Sequence, residues 1–340
     1  MAATVKIGLK QLHDTMRAGL VAAGCDAENA EAVAGVMSTA ERDGAASHGI
    51  FRLPGYLTSL KSGKVRGTAR PAVRQLAPAV VQVDGCGGFA PLAVAAARKA
   101  LDPVARSQGI AAASVVNVHH FSALWVDIEE LVASGLVAMC FTSYMPMVAP
   151  AGAPKPFYGT NPMAFGWPRP DGGTMIFDQA SAAMARGEIM IAARDGHSIP
   201  PGTGIDVDGK PTSDPAAILK GAQLPFGGYK GSSIAMMVEL LCGSLLGQPF
   251  SFEAGEEDNH DGGPPRGGVF IIAIDPARFG DPAGWRDHAE AFFARLTGMD
   301  GVRLPGDRRK RNRARIAQEG ATIPEALWQA ALAAAKPGAA

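Results

Sequence analysis

The chain has 340 residues, 47% of them hydrophobic and 19% charged, which excludes a disordered or fibrous protein and is long enough for two domains. Lys plus Arg and Asp plus Glu both total 32, so no overall field draws the chain to nucleic acid or an anionic membrane, and any anion site is local. The four cysteines form no CxxC pair and the first residues carry charges where a signal peptide has an apolar core, so a reducing cytoplasm is expected.

In chain order, residues 8–24 and 26–44 read as two amphipathic helices, the second opened by Asp26 with Glu28 and Glu31 in its first turns. The next helical stretch breaks at Pro54 and stops at Gly63, leaving Ser47, His48 and Arg52 at a helix junction. Residues 78–120 read as strand, Gly-rich turn, helix and strand. Within them GCGGFA imitates a dinucleotide turn, but Asn117 stands where the ribose-binding acid belongs. The uncharged run Leu131–Pro154 has the length of a membrane span, yet its polar residues and prolines fit a helix end, a buried strand and a loop. GIDVDGKP has the spacing of a phosphate loop but places Pro211 at the metal-binding hydroxyl, so a hairpin around Asp208 and Gly209 is expected. A helix is expected from about Ser232, an exposed charged loop over 255–268 before a strand, and a solvated helix face for the six basic residues of 308–315.

No nucleophile-elbow, zincin, CxxC or carboxylate-rich metal motif occurs, so no metal is expected and the histidines become the candidates. His48 and Arg52 are four residues apart, a spacing that puts an acid/base and a carboxylate-binding fork on one helical face. His119 and His120, adjacent on a strand, face opposite sides and cannot chelate one metal as a pair.

SHGIFRLPGYLTSLKSGKV, HHFSALW, GTNPMAFGWPRP, FDQASAAMARGEI, DGKPTSDP, LPFGGYKGSSIAMMVELL and RLPGDRR, in that order, resemble the malate/L-lactate dehydrogenase family that lacks a Rossmann fold, from about residue 8 to 315. Through FDQAS, ARGEI and LPFGGYKGSS the chain most resembles the Δ1-piperideine-2-carboxylate/Δ1-pyrroline-2-carboxylate reductases of that family. The resemblance implies an α/β fold with a helical N-terminal part and a central mixed-sheet cofactor domain. It divides the chain into residues 1–117 plus 296–340, for substrate and dimerisation, and 118–295, for NADPH. The implied activity is NADPH-dependent reduction of a cyclic imino acid by a homodimer that needs neither nucleic acid nor membrane.

Carried over by motif, His48 is the proton donor, Ser47 and Glu188 are its relay partners, and Arg52 and Thr160 contact the substrate. NADPH lies against His120, Phe121, Ser122, Ala123, Leu124, Asp178, Gln179, Ala180, Tyr229, Lys230, Arg303, Leu304, Pro305, Gly306, Asp307, Arg308 and Arg309. Ser122 replaces the family's alanine or glycine and Tyr229 its frequent histidine. Because successive side chains diverge on regular structure, a Ser47–His48 relay requires an irregular backbone there. Two other readings stand beside this one. The first is a 2-hydroxyacid dehydrogenase of the same family, separable by keto-acid turnover. The second is a non-catalytic binder of nucleic acid or an acidic partner through RRKRNRAR, which the zero net charge opposes.

Overall fold

The structure, a computed structural model, describes residues 3–121 and 123–336. At its start β1 (Thr4–Ile7) leads into α1 (Leu9–Ala22) and α2 (Ala27–Arg42). Asp26 caps α2 by accepting the Asn29 N–H at 3.0 Å, which satisfies one of the orphan donors of the first turn. Leu12, Met16 and Leu20, spaced by four, bury one stripe of α1 beside Val33 and Met37 of α2. Pro54 does not break a helix. Two single 3₁₀ turns, Ala46–His48 and Ile50–Arg52, follow α2, and Pro54 stands in the first turn of α3 (Leu53–Lys61), where its missing N–H removes no helical bond. His48 and Arg52 therefore share no regular helical face; the two tight turns carry them.

The hairpin β2 (Ala72–Ala77) and β3 (Val80–Phe89) is followed by α4 (Ala90–Gln108) and β4 (Ile110–His119), which runs parallel to β3 with Val83 beside Val115. This is the expected α/β unit. The GCGGFA stretch is a bulge in β3, where the register slips between Asp84 and Gly88 and the Asp84 carboxylate accepts the Cys86 N–H at 2.7 Å and the Asn117 amide at 3.2 Å.

After α5 (Leu124–Ala133) come β5 (Val137–Thr142), β6 (Met163–Pro168) and β7 (Thr174–Gln179). The chain then leaves the sheet for α6 (Arg186–Asp195), β8 (Gly204–Ile205), β9 (Pro211–Thr212), α7 (Pro215–Lys220), β10 (Ala222–Gln223), α8 (Tyr229–Glu239) and α9 (Ser251–Glu257). β8 and β9 form the anticipated hairpin, with the Asp206 carboxylate accepting the N–H groups of Asp208 and Lys210. β11 (Arg266–Ile274) returns to the middle of the main sheet, giving the order β2-β3-β4-β11-β5-β6-β7, mixed because only β3 and β4 are parallel. Helices α4 and α5 pack Val94, Leu101, Leu124 and Ile128 into one core with Val83, Val115, Cys140 and Ile271 of the sheet, while Val238 and Cys242 meet Phe141 in a separate cluster.

The chain closes with α10 (Trp285–Thr297), α11 (Asp307–Glu319), β12 (Ala321–Pro324) and α12 (Glu325–Ala334). β12 pairs with β1, so the two ends meet beside α1, and β4 runs across the 117/118 position with an irregularity at Asn117, whose φ is 55°. No described helix is long and apolar enough to cross a membrane. The segment expected as an exposed loop over 255–268 is instead tied down: Lys64 binds Asp258 at 2.9 Å and Asp261 at 2.7 Å, and residues 263–265 are buried. The basic run on α11 is largely the expected solvated face, with Arg308, Lys310, Arg311 and Arg315 exposed; Arg313 departs from it by pairing with Asp43 and Glu129.

Candidate active site

The site begins where α2 ends. Glu41, buried in α2, accepts the Ile50 N–H at 2.9 Å and so fixes the pair of 3₁₀ turns; burial pushes its carboxyl up to about 7. Because residues 46–48 form only one turn, Ser47 and His48 converge, and Ser47 Oγ meets His48 Nδ1 at 3.0 Å. That leaves Nε2 as the nitrogen for proton exchange. Burial lowers the His48 imidazole from its ordinary 6.5 to about 3, and the charges of Arg52 and His120 push the same way, so the ligand-free ring is neutral at pH 7.

Arg52 is oriented by donating its Nε–H to the Ser47 carbonyl at 2.8 Å, with its guanidinium 4.8 Å from the centre of the Phe121 ring. Phe121 in turn meets Tyr56 edge-on at 4.9 Å. A second guanidinium, Arg186 at the start of α6, joins this region: burial depresses its pKa, Tyr144 opposes that shift and the like charge of Arg52 adds to it. Two cations that feel each other's charge suit an anionic ligand. Arg186 lies in the ARGEI block, and its signal, a guanidinium beside the relay candidate, is legible only once the fold brings α6 to the 3₁₀ turns. Gly187 makes that approach possible, since a Cβ there would lie 2.5 Å from Ser47 Cβ.

Glu188 is exposed in the first turn of α6, and its carboxylate has no hydrogen-bond or ion-pair partner among the described residues. Thr160 is joined to the end of β7 through its carbonyl, which accepts the Ser181 N–H at 2.8 Å. His120 is buried, with Nε2 3.0 Å from the buried carboxylate of Asp127.

The proposed cofactor segments also converge. Asp178 caps α5, accepting the Trp125 N–H at 3.2 Å, and burial raises its carboxyl to about 6. The turn before α8 lies on the same edge, because the Phe226 N–H bonds to the Ser181 carbonyl. The 303–309 turn packs against β7: Gly306, at φ +90°, comes so near that a Cβ would stand 3.3 Å from the Ile176 carbonyl oxygen. Gln179, Tyr229, Lys230, Arg303, Pro305 and Arg308 are exposed, whereas Phe121, Ala123, Leu124 and Leu304 are buried, so those four offer mainly backbone to a ligand. Ser122 lies outside the described residues. Asp307 accepts the Leu304 N–H, and Arg309 donates to the Ile176 carbonyl, so both brace the turn. Lys230, Arg303 and Arg308 have no partner among the described residues; their donors fit the phosphates of a dinucleotide.

Arg52→Lys is expected to raise the KM of a carboxylate substrate about ten- to hundredfold, because the ammonium keeps the charge but loses the fork and its bond to Ser47. Steady-state kinetics with an unchanged KM would remove Arg52 from the substrate site.

Among known proteins, a Δ1-pyrroline-2-carboxylate reductase of Ancylobacter novellus is 48% identical over 326 residues, covering 95% of this chain and 96% of its own. The crystal structure of Δ1-piperideine-2-carboxylate reductase from Pseudomonas syringae pv. tomato matches with a TM-score of 0.91 and 45% identity, over 97% of this chain and 100% of that one. A (2R)-3-sulfolactate dehydrogenase (NADP(+)) of Chromohalobacter salexigens is 40% identical over 321 residues, 94% of this chain and 95% of its own. The malate/L-lactate dehydrogenase model matches residues 7–331, and the chain belongs to that family of oxidoreductases, whose chemistry implies a nicotinamide cofactor.

Proposed function

We propose that the chain is an NADPH-dependent reductase of cyclic imino acids, converting Δ1-piperideine-2-carboxylate to L-pipecolate and Δ1-pyrroline-2-carboxylate to L-proline. The near full-length 48% identity to a reductase of this class carries the reading. The arrangement of Ser47, His48, Arg52 and Arg186 supports it chemically. The bound nicotinamide supplies the hydride taken up by the imine carbon. Arg52 holds the flat substrate by its carboxylate, with Arg186 adding positive charge. That carboxylate offsets the cationic field on His48, which raises the ring's proton affinity and lets Nε2 deliver a proton to the imine nitrogen. Ser47 steadies Nδ1, and Thr160 borders the substrate.

Glu188 is assigned as the outer relay partner through its place one residue beyond Gly187, which packs on Ser47. If it stabilises protonated His48, Glu188→Gln lowers the pKa of that ring and its loss of kcat grows as pH rises. A pH profile superimposable on the parent's would make Glu188 a surface carboxylate.

The preference for NADPH is assigned to Arg308, an exposed guanidinium at the start of α11, ahead of its neighbour Arg309, which is already bound to the Ile176 carbonyl. Arg308→Ala is expected to cut the NADPH-over-NADH ratio of kcat/KM about tenfold, the value of one charge-assisted bond to the 2′-phosphate. A parent enzyme using both cofactors equally would sink this assignment. The sulfolactate dehydrogenase relative favours a second reading, reduction of open 2-keto acids. A cofactor-oxidation panel of five- and six-membered cyclic imines against open 2-keto acids decides between them: turnover confined to keto acids overturns the proposal.

A further inference from the structure

Trp125 follows directly on the loop assigned to the cofactor, and four separate groups meet its side chain and backbone. Its indole Nε1–H donates to Asp43 Oδ2 at 3.1 Å and its backbone N–H to Asp178 at 3.2 Å. The ring stands edge-on to His48, centroids 6.2 Å apart at 77°, and the Arg309 guanidinium lies 5.3 Å from the indole ring centre. Asp43, whose side chain is fully buried, also accepts Arg313 Nε at 2.9 Å and Nη2 at 2.7 Å, together with Arg42 Nε at 2.9 Å. Arg309 and Arg313 are one turn apart on α11, the helix that begins in the proposed cofactor turn.

A buried indole N–H needs an acceptor, and here the acceptor is a carboxylate that two guanidiniums, one of them on α11, hold in place, so the ring is tied to that helix as well as packed. The indole thus joins α11 to the imidazole. We propose that Trp125 is a positioning residue that locks α11, and with it the cofactor turn, in register with His48. A ring held from behind by Asp43 limits the tilt of His48, and a shift of α11 reaches that ring through Arg309 and Arg313. The inference rests on the roles given above to His48 and to the 303–309 turn.

The test uses the full chain with Trp125→Phe, and Trp167→Phe as the control, since Trp167 packs on Trp285 away from His48. Tryptophan emission is titrated with NADP⁺, and kcat and KM are measured for the cyclic imine. NADP⁺ is expected to quench the parent and the control alike, with at least half of the quench lost in Trp125→Phe. In the same variant kcat should fall about tenfold with the imine KM within about twofold, as expected for a misplaced proton donor. Arg313→Met leaves the indole in place but removes one of the two guanidiniums that hold Asp43 and its tie to α11; it should lower kcat about threefold and weaken NADP⁺ binding about threefold, the size expected of a coupling through packed groups. This second variant decides the matter if Trp125→Phe does not fold.

A Trp125→Phe protein with the parent's quench and kcat overturns the proposal. So does a change confined to the imine KM, or an Arg313→Met protein indistinguishable from the parent. A parent that reduces the imine while its emission ignores NADP⁺ refutes the coupling and leaves the reaction standing. A parent that turns over no imine refutes the reaction instead.

Discussion

His48→Ala is expected to lower kcat for imine reduction about 10²- to 10⁴-fold, the usual contribution of a positioned general acid, with little change in substrate KM. The pH dependence is more diagnostic than the loss. Since kcat/KM reports the free enzyme, and free His48 is depressed to about 3, its protonated fraction falls steadily across the working range as pH rises. The parent's kcat/KM should therefore drop about tenfold per unit between roughly pH 5 and 8, with no plateau below 6.5 such as an unperturbed imidazole would give. The His48→Ala profile supplies the substrate's own titration for subtraction. A parent plateau reaching up to 6.5 would show that the ring is not depressed in the working enzyme. The depression also bears on folding. At His48 and His119 the unfolded chain takes up protons near 6.5, whereas the native rings, lowered chiefly by burial, resist protonation down to about 3 and 4. Their contribution to stability is present above 6.5 and is lost as pH falls through those windows.

Much of this site was legible as text because its parts are short, spaced blocks. Helix α2 announced itself through Asp26 and an apolar stripe, and the α/β unit over 78–120 through alternation and its glycine. The family's mixed, non-Rossmann fold followed from seven blocks in order and is the fold observed. What escaped depends on contacts distant in sequence. Pro54 looked like a breaker because a proline within a helix and one in its first turn read alike until the start is known. Residues 258–265 look solvated because their acids are, in the sequence, unpaired; Lys64, 194 residues before Asp258, pairs them. The same holds for Arg313, which reads as one charge in a basic run and is in fact the partner of a carboxylate 270 residues earlier. Arg186 is silent in the sequence because only the packing of Gly187 on Ser47 brings it within reach of the charge of Arg52.

Asn161, next to Thr160, illustrates the buried polar network that such reading misses. It is fully enclosed and donates to Glu239 Oε1 at 2.7 Å and to the Ala235 carbonyl at 3.0 Å. Its Oδ1 accepts the Tyr144 N–H at 3.3 Å and Ser251 Oγ at 3.4 Å, while its carbonyl accepts Ser181 Oγ at 2.7 Å. Glu239 relies on the Asn161 amide for its shortest bond, since its other contacts are the N–H groups of Ser251 at 2.9 Å and Gly159 at 3.4 Å. Asn161→Ala would take from that buried carboxylate its shortest bond and leave an alanine at φ 39°, where a Cβ is strained and asparagine is tolerated. The expected cost is about 3–5 kcal/mol, seen as a lower melting temperature and denaturation midpoint. Activity should also fall at temperatures where the variant is still folded, because the network ends at Thr160, proposed above as a substrate contact, and at Tyr144, whose charge acts on Arg186. Asn161→Gly separates the two components: relieving the backbone should recover about 1 kcal/mol of the loss, and the remainder belongs to the lost side-chain hydrogen bonds, the shortest of them to Glu239. An Asn161→Ala protein that melts with the parent would mean that the network is not what holds the Thr160 loop against the end of β7.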